Sequence, residues 1–224
     1  MNCVNAIKGI KKIILAQFFA IITALLTSGT ALLLSLCLWL SKDVYSIVAT
    51  PLGKAGIGLG LISMISVALT AVISFIGYIQ ASKDEAEFRK SMICTLIMGA
   101  LTLIGTFFKI PNGFIYTILN SAGTVFEMFV MIFAISGAVK LLEKTEETAL
   151  AERGDKVLDI LVVTYIITLI FSLIIRIFEL SSNIKNVSII IGAVSLGISI
   201  FQYVVFIKYF KQTLNALKKT ENRE

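Results

Sequence analysis

The chain has 224 residues, of which 57% are hydrophobic and only 15% are charged, and its mean hydropathy is +0.93. Soluble domains carry about 25% charged residues, so this composition excludes a globular fold that must cover its own core with polar surface. The net charge of +6 does not point to nucleic acid either, because the Lys and Arg residues stand at the ends of apolar runs and are not gathered on one soluble face.

The first run, Ile13–Leu40, follows Lys8, Lys11 and Lys12. That start has the outline of a signal peptide, with Gly29-Thr30-Ala31 as a cleavable triplet. The apolar stretch nevertheless resumes through Leu40, far beyond the roughly 7–15 residues of a signal core. An uncleaved first helix, tilted or bent, is expected. Five more runs follow at Gly56–Gln80, Ser91–Phe108, Gly113–Val139, Val157–Phe178 and Val187–Ile207. Each is about as long as the roughly 17–25 residues that an α-helix needs to cross a bilayer. The expected fold is all-α: a polytopic bundle of six transmembrane helices forming one domain over 1–224, with no separate soluble domain. Pro51 and Pro111 are the two prolines; both are expected in connections, Ser41–Ala55 and Lys109–Gly113, so that no helix is broken by proline. Lys140–Lys156 is expected to prolong the fourth helix.

Orientation follows from the basic residues. Lys8, Lys11, Lys12, Lys83, Arg89, Lys90, Lys140, Lys144, Arg153, Lys156, Lys208, Lys211, Lys218, Lys219 and Arg223 fall on one side, 15 in all, against 5 on the other. Basic residues are retained in the cytoplasm during insertion. Both termini are therefore expected inside, in a plasma membrane of bacterial type. The chain also divides into three successive hairpins, roughly 1–84, 85–147 and 150–218, and a triplication stays open beside a plain row of antiparallel helices.

Small residues mark one face of the even-numbered helices. On the second run, Gly56, Gly60, Ser63, Val67, Thr70, Ser74, Gly77 and Ala81 follow at steps of four and three, which places them on one face. Ser66 is assigned to the opposite face. The sixth run carries Ser188, Gly192, Ser195, Ser199 and Gln202, and the fourth carries Asn120, Gly123, Glu127, Ala134 and Gly137. Lipid gives apolar helices no hydrophobic reason to associate, so close backbone approach and interhelical hydrogen bonds must hold them. Ordinary packing explains such stripes; so does convergence on a shared polar interior.

Glu127 keeps the second reading open. It lies near the middle of its run, and no other ionisable acid or base lies as deep. A charge at the bilayer centre costs at least about 2.5–3.5 kcal/mol, and burial disfavours the ionised carboxylate. An inward-facing, protonated Glu127 is expected, with Gln202, Ser195, Ser199 and Thr70 as candidate partners. Such a residue either glues helices or forms a proton or cation site.

Other chemistry is thinly represented. There is no histidine, which removes imidazole acid–base catalysis and most zinc sites. Cys3, Cys37 and Cys94 suggest neither a disulfide framework nor a metal site. No enzyme, metal or cofactor is expected. At the C-terminus, Phe210, Leu214 and Leu217 run beside Lys211, Lys218 and Lys219, suited to an anionic lipid surface or a membrane protein partner. A homo-oligomer is equally open. For function, a small-solute or ion permease with Glu127 in its interior is expected; the alternative is an accessory or scaffold protein without transport of its own. Space reaching Glu127 favours the first, and tight packing around it favours the second.

Overall fold

A computed structural model describes residues 3–41, 50–107, 113–179 and 185–221. Six helices make up the described residues: α1 Val4–Ser41, α2 Pro51–Ala81, α3 Glu87–Phe107, α4 Gly113–Lys144, α5 Thr148–Glu179 and α6 Lys185–Glu221. Four stretches are long and apolar enough to cross a membrane: Val4–Leu34, Pro51–Ala81, Ser121–Lys144 and Gly192–Glu221. In these, intrahelical hydrogen bonds satisfy every interior peptide group, the condition that hydrocarbon imposes. Their outer faces are apolar; Leu61, Ile65 and Met64 on α2 are exposed by 59%, 62% and 69%. In water such a surface would aggregate. The chain is a membrane protein by this criterion.

The helices outrun their apolar cores. Helix α1 already begins at Val4, because Asp84 accepts hydrogen bonds from Ala6 N at 2.7 Å and Asn5 Nδ2 at 3.0 Å. That carboxylate supplies the capping acceptor that the first turn lacks. Pro51 opens α2 and does not lie in a connection: Thr50 caps that helix by accepting from Gly53 N at 3.0 Å. Proline at the first helical position loses no hydrogen bond. Pro111, with its turn, lies outside the described residues.

Helix α4 stops at Lys144 and is not prolonged to Lys156. Glu146 takes φ 61°, Glu147 N bonds back to Leu142 O at 3.0 Å, and Glu146 N bonds to Glu143 O at 3.1 Å. This is a Schellman C-cap with glutamate in the left-handed position that usually holds glycine. Helix α5 then starts at once with Thr148.

Each helix packs antiparallel on its sequence neighbours, and α6 returns to α1, so the six close into a ring in chain order. The α1–α2 contact is the most extensive. Its register shows in successive pairs: Gly9 with Gly77, Thr23 with Ser66, Thr27 with Ser63, and Leu34 with Gly56. Helices α2 and α3 meet less closely. Lys140 on α4 bridges Glu87 at the start of α3 at 2.6 Å, and Lys144 bridges Glu85 in the α2–α3 connection at 2.6 Å, while Lys90 pairs with Glu87 within α3 at 2.9 Å.

The α2 stripe needs one correction. Ser66 is not on the opposite face: it is 6% exposed and accepts a hydrogen bond from Thr23 Oγ1 at 2.6 Å. Val67, counted in the stripe, is 48% exposed. At about 100° per residue Ser66 stands only about 60° from Ser63, on the edge of the same face, and the contact line passes through Ser63, Ser66 and Ser74. Gly77 and Gly56 face α1 as glycines should. A Cβ on Gly77 would lie 3.0 Å from Gly9 O, and one on Gly56 would lie 3.1 Å from Leu34 Cδ2. Gly60 is looser, with Thr30 Cγ2 at 3.5 Å, and a Cβ on Gly192 would meet nothing within 4 Å. Gly192 therefore does no helix packing here.

Packing is uneven along the bundle axis. The fully buried side chains gather at the termini end: Ile10, Ile13, Tyr78, Phe88, Ile135, Leu141, Leu142, Phe206, Tyr209, Phe210 and Leu217. Phe206 and Phe210 stack at 4.1 Å, and Gly137 admits the Phe88 ring. Farther along the axis, a Cβ on Gly29, Gly58, Gly99, Gly123, Gly192 or Gly197 would find no heavy atom within 4 Å. Among the described residues, the completely buried large side chains thus concentrate toward the termini end.

Candidate functional site

Above this packed end, a cavity of about 260 Å³ opens between the helices. Helix α1 lines it with Gln17 and Thr23, α2 with Thr70, Ser74 and Tyr78, α3 with Thr95 and Met98, α4 with Glu127 and Met131, and α6 with Tyr203. At roughly 30 Å³ per water, it holds several. Glu127 keeps accessible surface because it borders this space.

Tyr203 Oη donates a hydrogen bond to Glu127 Oε1 at 3.0 Å. Tyr165 on α5 faces the same carboxyl group, outside hydrogen-bond geometry, and Tyr78 lies within its electrostatic reach. Three tyrosines from three helices thus surround one acid. Tyr78 and Tyr165 are 1% and 3% exposed, yet neither hydroxyl has a hydrogen-bond partner, nor does Gln17 Oε1. A buried polar atom left unpaired costs about 1–3 kcal/mol. Tyr78 and Gln17 both line the cavity, although these two polar atoms have almost no accessible surface of their own.

The sequence-derived partners of Glu127 are placed differently. Gln202 is buried but points to α5, donating from Nε2 to Thr164 Oγ1 at 3.0 Å. Ser199 donates to Ser195 O at 3.0 Å within its own helix. Neither serine lines the cavity. Thr70 borders the cavity, but its hydroxyl donates to Ser66 O at 2.8 Å on its own helix. The bond to Glu127 comes instead from Tyr203, the residue after Gln202. Helical geometry turns successive side chains by about 100°, so one residue separates a wall of the cavity from a contact with α5. The side chains of Asn120 and Ser188 lie outside the described set.

The tyrosines, Gln17 and Thr95 were missed by pattern reading. The available signal was chemical: a tyrosine deep in an apolar run must find a partner for its hydroxyl, and Tyr165 and Tyr203 both stand inside such runs.

The cavity is closed toward the termini. There Gly9 and Gly77 bring α1 and α2 into backbone contact, and Phe88, Ile135, Phe206 and Phe210 are completely buried. Toward the other end the walls thin, with Val67 48% exposed and open space beside Gly99 and Gly123. The arrangement offers one acid, hydroxyls and aromatic faces around one space. Compared with protein families, curated proteins and solved structures, the chain matches none.

Proposed function

We propose that this chain is a six-span permease for a small solute or ion, with Glu127 at its central site. The single observation that carries the reading is the cavity of about 260 Å³ that reaches Glu127 while the termini end is packed shut. A protein that used Glu127 only as glue would leave no such space beside it. A site shut off at the termini end is one element of what alternating access requires.

The count of six spans rests on connectivity. Helices α2 and α4 both finish at the termini end, at Ala81 and Lys144. Helix α3 must therefore carry the chain back before α4 can begin, and α5 does the same before α6. The charges at the start of α3 and α5 sit at this end, where the excess of basic residues places the cytoplasm. Both termini are then inside a plasma membrane, with Lys211, Lys218 and Lys219 near its anionic headgroups.

The test is reconstitution into liposomes, with sodium, potassium and proton flux and the uptake of labelled amines measured against protein-free vesicles. Glu127→Gln keeps the shape and removes the titrating group. Permeation by the wild type and its loss in a folded Glu127→Gln variant is the expected result. A variant as active as the wild type would sink the central-site role. Wild-type vesicles no leakier than empty ones to every probe would favour the accessory protein.

A further inference from the structure

The walls around Glu127 narrow the class of ligand. Among the described residues, Glu127 is the one charged residue lining the cavity, and no lysine or arginine lines it. An anion therefore has no counter-charge there, whereas a cation does. Thr70 and Thr95 donate to carbonyls of their own helices, Ser66 O at 2.8 Å and Ser91 O at 2.9 Å, and most of the remaining wall is alanine, valine and methionine with the rings of Tyr78 and Tyr203. One charge in a lining that is otherwise largely apolar and aromatic suits an organic cation better than a hard metal ion, which gives up its water only for a shell of oxygen ligands.

What lines the cavity is a carboxyl group together with the aromatic rings of Tyr78 and Tyr203. Aromatic faces attract substituted ammonium groups. The volume is slightly under the roughly 300–1,000 Å³ of sites for drug-sized molecules, so the ligand is small. We propose that the cavity binds a small lipophilic organic ammonium ion, with its charge on Glu127 and with a proton as its competitor there. As a transported substrate this ion rests on the permease reading; as a bound ligand it does not. The titratable groups that face Glu127 are Tyr78 from α2, Tyr165 from α5 and Tyr203 from α6, while α1 and α3 contribute the non-ionising Gln17 and Thr95. The exchange is a simple displacement: the carboxylate holds either the ammonium ion or the proton, and no covalent bond other than O–H is made or broken.

The experiment is calorimetric titration of the full-length protein in detergent with benzyltrimethylammonium chloride at pH 6, 7 and 8. Binding should tighten as pH rises, by up to about tenfold per unit where one proton is displaced, and excess sodium chloride should not remove the probe. Glu127→Gln should weaken binding at least tenfold. Absence of wild-type binding, a flat pH series, or displacement by equimolar sodium would each overturn the proposal. If Glu127→Gln does not fold, the wild-type pH series and the sodium competition decide alone. Vesicle efflux of the same probe separates the two readings: binding without efflux removes the permease and keeps the ligand, while sodium or proton flux without probe binding does the reverse.

Discussion

Replacing Gly9 by alanine is the sharpest test of how this bundle is held. A Cβ at that position would lie 2.5 Å from Gly77 O and 2.6 Å from Ala81 N. Ordinary contacts begin near 3.4 Å, and the obstructing atoms are backbone, so no side chain can turn away. Helices α1 and α2 must separate by about 1 Å at their crossing, which is overpacking of the kind that costs about 1–3 kcal/mol. The same substitution restores helix propensity worth up to about 1 kcal/mol, leaving a net loss of up to about 2 kcal/mol. For a chain of this length that lowers Tm by up to about 8 °C. Gly29→Ala is the matched control. Its Cβ meets nothing within 4 Å, so the propensity gain stands alone and Tm should hold or rise by up to about 4 °C. The assay is a thermal ramp in detergent with a thiol-reactive dye, since Cys3, Cys37 and Cys94 are all buried and react as the fold opens. If Gly9→Ala melts with or above Gly29→Ala, the close crossing is not what holds the first hairpin.

Ser66→Leu should destabilise more than Gly60→Ala in the same ramp, because Ser66 is buried on Thr23 while Gly60 has room for a methyl; equal tolerance would refute the contact line. Lys140 and Lys90 hold the Glu87 carboxyl below its usual value of 4.5 by hydrogen bonding and charge. A depressed carboxylate stabilises the fold above its unfolded pKa and loses that contribution as pH falls through the folded one. Tm should therefore drop on acidification below about pH 4.5 more steeply in the wild type than in Glu87→Gln, and identical slopes would exclude the cluster. Single cysteines at positions 83 and 148 should resist membrane-impermeant reagent in intact cells while those at 109 and 182 react; the reverse pattern would invert the topology.

Helicity and membrane residence were legible in the sequence because they depend on composition over tens of residues. Once water is excluded, each peptide group must be satisfied within its own helix, and long apolar runs leave few other solutions. Glu127 was legible for the same reason, since a lone acid in an apolar run is conspicuous without any knowledge of its neighbours. The surroundings of that acid were not. Whether Tyr203 or Gln202 meets it depends on helix rotation by a single residue, and whether Ser66 or Val67 is the one covered by α1 depends on the rotation of α2 in the same way. Gly9 stood in a charged N-terminal stretch with no stripe to mark it, yet it forms the closest backbone approach with Gly77. Those outcomes are set by which helices pack together and at what rotation, and so is the unevenness that closes one end and leaves a cavity above it. Local pattern limits the faces a helix can offer; only the assembled ring decides which face is used.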